Sequence, residues 1–129
     1  MTRLLGDAGI VRHRGKIEAA IANAELAFRM QMSVPEATAI SGESEATRRL
    51  YGLDAPSEHT RAYGRQCLVA RRLIERGVRF VNLYHEGWDA HSDVVGNVRS
   101  NAAITDQASA ALVLDLKQRG LLDDTLVIW

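Results

Sequence analysis

The chain has 129 residues, with 16 basic and 16 acidic side chains, so its net charge is zero with histidine neutral. That balance gives no whole-molecule field favouring nucleic acid or an acidic membrane, and no apolar run reaches the length of a membrane span. Cys67 is the only cysteine, which excludes an internal disulfide.

Residues 1–13 carry no clear period and read as an irregular start. A helix is predicted from about Arg14 to Gln31, because Ile17, Ala20, Ile21, Ala24 and Phe28 recur on one helical face. Ser33-Val34-Pro35 is expected to break it, since proline lacks a donor and restricts the residue before it. A short helix fits Ser44 to Tyr51, with Ser44 as N-cap and Gly52 just past the end. Leu53 to Glu58 reads as a linker, so residues 14–59 form a helical segment and linker.

The next helix runs from about Thr60 to Arg76 and stops at Gly77. It sets Tyr63, Cys67, Ala70 and Ile74 on one face and Arg61, Arg65, Arg72 and Arg76 on the other, the latter read as solvated. Val78 to Tyr84 is β-branched and aromatic and reads as a strand. A loop from His85 to about Ser92 leads into a long helix, about Asp93 to Arg119, with a buried stripe of Ile104, Ala108, Ala111, Leu112 and Leu116. Gly120 ends that helix, and Leu126 to Trp129 starts a second strand.

Residues 60–129 therefore read as a helix–strand–loop–helix–strand unit. A long crossover between two strands implies a parallel pair with helices packed on it, the unit of an α/β fold. Two strands make a poor sheet, and the apolar run ends at the last residue. The expectation is a single incomplete domain over 1–129, a piece of a larger α/β protein.

The loop after the first predicted strand reads His85-Glu86-Gly87-Trp88-Asp89-Ala90-His91-Ser92-Asp93. Ligands of open parallel sheets bind beyond the C-terminal strand ends, where this loop would lie. Imidazole and carboxylate together suit zinc, manganese or iron. Spacing alone leaves the plainer reading ahead: a polar surface loop in which Asp93 caps the next helix and His91 is solvated. No Cys-x-x-Cys, His-Glu-x-x-His or phosphate-binding glycine loop is present, and neither Ser41 nor Ser44 has a base beside it.

Several blocks resemble a known family. Glu25-Leu26-Ala27-Phe28-Arg29-Met30-Gln31, Cys67 to Leu73, Arg76 to Val81, Gly87 to His91, and Asp115 through Trp129 are similar to the domain-of-unknown-function family 1501. Its members look sulfatase-like and of the alkaline-phosphatase superfamily. The resemblance implies an alkaline-phosphatase-like sandwich, with helices on a mostly parallel sheet of which about two strands are present here. It implies a metal-dependent hydrolase of sulfate or phosphate esters, acting on a small-molecule or polysaccharide ester and holding zinc, manganese or calcium. It also implies an extracytoplasmic parent protein.

Residue by residue, Asp89 and His91 match the family's tryptophan–aspartate–x–histidine motif as metal ligands. His85 and Asp93 are the further candidates, because related folds set three residues between the aspartate and histidine and this chain sets one. No catalytic nucleophile is assigned. The expectation is a fragment inactive by itself, against the alternative of a non-catalytic binding or structural module of the same fold.

Overall fold

The computed structural model describes Arg3, Gly9 and residues 13–129, apart from the side chains of Met30 and Ser33. Most of the predicted irregular start thus lies outside the described residues. The chain divides into two units, residues 1–36 and 37–129. Helix α1, Arg14–Thr38, carries residues of both. It does not stop at Pro35, which lies inside it one turn from its end. Its predicted apolar face is only partly used: Ile17 is buried, whereas Ile21 and Phe28 are exposed.

In the second unit a 3-10 turn, Ile40–Gly42, precedes the short helix α2, Glu45–Leu50. Ser44 caps α2 as expected, its hydroxyl accepting from the Thr47 amide at 3.1 Å. Helix α3 spans Glu58–Glu75 and starts at a Ser57 cap that accepts from the Thr60 amide. Helix α4 spans Val94–Gln118 and starts at Asp93, whose carboxylate accepts from the Gly96 amide at 3.2 Å. A second 3-10 turn covers Leu122–Asp124.

Helices α3 and α4 stop at Gly77 and Gly120, as predicted. Gly77 donates to the Ile74 carbonyl and Val78 to that of Leu73, a six-to-one closure that needs a left-handed residue at Gly77, where φ is 81°. Gly120 and Leu121 repeat the pattern on Lys117 and Leu116.

Helices α3 and α4 lie side by side. Tyr63 bonds Ser109, Arg71 pairs with Asp115, and Glu75 pairs with Arg119, so residue numbers rise together along both. The two helices therefore run parallel, joined by the crossover through residues 76–93. Between them and the 37–53 segment sits the core of Ile40, Tyr51, Tyr63, Cys67, Leu68, Ala108 and Ala111, with Leu83, Ile104 and Leu112 packed against it.

The α/β expectation is overturned. Among the described residues there are helices and no strand. Residues 78–90 and 125–129 carry no regular secondary structure and no ladder. The first segment keeps a strand-like period of two: Val81, Leu83 and His85 are half-buried, while Asn82 and Tyr84 are exposed. Side-chain alternation follows from local extension, but a strand is defined by hydrogen bonds to a neighbour. Both segments line a trough of about 1160 Å³ against α3 and α4 and leave it unbridged. Phe80, Leu126, Ile128 and Trp129 are exposed there, so β-propensity has not been converted into a sheet or a sandwich.

Candidate functional site

The loop between Leu83 and α4 is built from its buried end outward. His85 is half-buried, with its ring edge-on to Tyr63 at 5.7 Å and to Trp88 at 6.0 Å. Trp88 in turn meets Trp129 edge-on at 6.4 Å. Gly87 then turns the chain with φ of 97°, a conformation that side chains with a Cβ rarely adopt. A Cβ on Gly87 would also stand 3.3 Å from Asn101 Oδ1.

Asn101, on α4, is the anchor of this turn. Its Nδ2 donates to the Gly87 carbonyl at 2.9 Å, and lies 3.1 Å from both the Asn97 carbonyl and Asn97 Oδ1. Its Oδ1 is 2.8 Å from His85 Nε2. The side chain is buried, so these contacts satisfy a polar group that would otherwise be costly.

Beyond the turn the loop faces water. Asp89 Oδ2 and His91 Nε2 approach to 3.3 Å, with the two side chains 91% and 88% exposed. The structure thus brings Asp89 and His91 together. Of the other two candidates, His85 bonds Asn101 through Nε2, and the Asp93 carboxylate caps α4 from a left-handed residue at φ 44°. Among the described residues no group of three or more histidine, cysteine, aspartate or glutamate side chains could hold a metal ion. The Asp89–His91 pair fits one edge of a coordination shell, and does not fit a closed one of three or four protein ligands.

The densest set of ionisable groups lies elsewhere and is internal. Arg71 is buried, with Nη2 2.7 Å from Glu43 Oε2, Nη1 2.6 Å from Glu75 Oε2 and Nε 3.1 Å from Asp115 Oδ2. Only the Glu75 contact has aligned hydrogen-bond geometry; the Nε and Nη2 contacts are ionic. Arg119 pairs with Asp115 and Glu75, each at 2.7 Å, and Arg72 pairs with Glu43 and donates to the Ala37 carbonyl. Tyr51 donates to Asp115 Oδ2 at 3.0 Å. Burial pushes the Glu43 carboxyl up, but hydrogen bonds from Arg72 and Arg71 outweigh it and hold it below its ordinary value. Every charge here has an opposite charge beside it, so this cluster joins the 37–51 segment to α3 and α4. Arg72, read from sequence as solvated, belongs to it.

Cys67 is buried, and that burial pushes its thiol up to about 11. A thiol held neutral in the core is a packing residue.

Asn101, Arg71 and Asp115 escaped the sequence reading although a signal existed. On α3 the buried series Thr60, Tyr63, Gly64, Cys67, Leu68 and Arg71 keeps the three-and-four spacing, which puts Arg71 on the core face. On α4, Asn101, Thr105, Ala108, Ala111 and Asp115 do the same. A stripe defined by apolar residues alone passes over them.

Comparison with known proteins adds a family: the model described as "Protein of unknown function (DUF1501)" matches residues 3–129. No curated protein and no solved structure matches the chain.

Proposed function

The chain belongs to the DUF1501 family, and we propose from that premise that its 85–93 loop is part of the metal site of a sulfatase-like or phosphatase-like ester hydrolase. Asp89 and His91 supply two donors to a divalent cation (zinc, manganese or calcium). Further ligands and the nucleophile come from outside the described residues. The observation that carries this reading is the exposed Asp89–His91 pair, 3.3 Å apart on a loop whose root is fixed by Asn101. Such a pair offers an oxygen and an imidazole nitrogen to one point in solvent. The substrates proposed are small-molecule or polysaccharide esters, and the proposed setting is extracytoplasmic.

Two donors predict weak binding and no hydrolysis by these residues alone. Zinc titrated calorimetrically into the 129-residue chain should bind in the high micromolar range or weaker, and both Asp89→Ala and His91→Ala should remove that binding. Zinc affinity unchanged in the double variant would sink the reading. The competing reading is a non-catalytic module that keeps the family's fold without its chemistry. It is favoured by one specific observation, the lack of a third donor near the pair among the described residues.

A further inference from the structure

We infer that Asn101 is a positioning residue that fixes His85 as its Nε2–H tautomer, leaving Nδ1 as the ring's one lone pair. An asparagine side chain has a donor end and an acceptor end, and neighbours decide which way it lies. Here Nδ2 stands 2.9 Å from the Gly87 carbonyl and 3.1 Å from the Asn97 carbonyl, two oxygens that can only accept. Turning the amide over would set Oδ1 against both carbonyls and leave two acceptors without a donor in a buried site. The nitrogen end is therefore fixed, and Oδ1 is the atom that faces His85 Nε2 at 2.8 Å.

An amide oxygen cannot donate, so His85 Nε2 carries the hydrogen. Neutral imidazole holds one hydrogen, which leaves the lone pair on Nδ1. The ring cannot readily swing away from this arrangement, since Tyr63 and Trp88 bracket it edge-on. The same amide holds the Gly87 carbonyl, so one side chain sets both the tautomer at the start of the loop and the turn that leads to Asp89 and His91. The result is a histidine with a defined proton acceptor at the root of an exposed loop, where an ester substrate could be met. That Nδ1 takes part in chemistry rests on the hydrolase reading. The tautomer itself does not.

The test is long-range proton–nitrogen correlation on the 15N-labelled, metal-free chain at about pH 9, where imidazole is neutral. His85 should show one protonated and one bare nitrogen, with an exchange-protected Nε2 proton. His59, which is exposed, should show averaged tautomers and serve as the internal reference. A nuclear Overhauser contact from the Nε2 proton to the Asn101 β-hydrogens should be present in the unmutated chain, so the assignment needs no variant. Asn101→Ala should then lose the protected proton and move His85 to the averaged state of His59. An Nδ1–H tautomer, or a His85 averaged like His59 in the unmutated chain, overturns the inference. So does a protected proton that survives Asn101→Ala. A chain with the expected tautomer whose zinc affinity is unchanged by Asp89→Ala/His91→Ala keeps this inference and loses the hydrolase reading instead.

Discussion

Arg71 on α3 and Asp115 on α4 meet across the interface of the two parallel helices, Nε to Oδ2 at 3.1 Å, with 2% and 7% of their side chains exposed. Neither is easily satisfied by water, so each depends on the other and on the flanking Glu43, Glu75, Arg119 and Tyr51.

Removing both members should cost less than the two single losses added together. Asp115→Ala leaves Arg71 short of a counter-charge and Tyr51 without its acceptor, and breaking a buried pair in this way costs about 3–5 kcal/mol. Arg71→Met should cost a similar amount, because it leaves three carboxylates near one another. The double variant Arg71→Met/Asp115→Ala should recover a measurable part of the summed loss. Urea denaturation of the four chains reads this directly. A single-variant loss under about 1 kcal/mol, or strict additivity, would show that the pair is not coupled.

The same cluster gives acid sensitivity. The folded Glu43 carboxyl sits below its ordinary value of 4.5, held there by Arg72 and Arg71 against the opposing effect of burial. A carboxyl depressed on folding contributes stability above its unfolded value, and that contribution is lost as pH falls through the folded value. The melting temperature should therefore fall on acidification below about pH 4.5. Glu43→Gln should be less stable at neutral pH and should show a shallower fall. An identical acid profile in both chains would remove Glu43 from the account.

Gly64 separates helix propensity from packing. A Cβ there would run into the Tyr51 carbonyl oxygen, with the Tyr51 carbonyl carbon at 3.2 Å. Alanine is favoured over glycine inside a helix by about 1 kcal/mol. Overpacking against backbone costs ~1–3 kcal/mol and should win, so Gly64→Ala destabilises the chain. Gly15→Ala on α1 is the control, since its nearest neighbours are His13 ring atoms at 3.4 and 3.5 Å. Thermal melts should move in opposite directions for the two, and a stabilised Gly64→Ala would mean that α2 and α3 are not in close contact.

Much of this protein is written locally. The caps at Ser44 and Asp93, the stops at Gly77 and Gly120, and the spacing of the α3 and α4 core faces all act within a turn or two of chain, and sequence determines them. The family is equally legible, because blocks from Glu25 to Trp129 recur in order. Strand formation is not local. Val78 to Tyr84 and Leu126 to Trp129 have the residue types of strands, but a ladder needs a partner backbone at hydrogen-bonding distance, and neither segment finds one among the described residues. The tertiary structure alone decided three further matters. It set Glu43 and Asp115 against the inward-facing Arg71 from two other segments of chain. It held His85 half-buried against Tyr63 and Trp88 while Asp89 and His91 face each other in solvent. It also placed Asn101 beside His85, 16 residues away, a contact that only the fold of the crossover onto α4 creates.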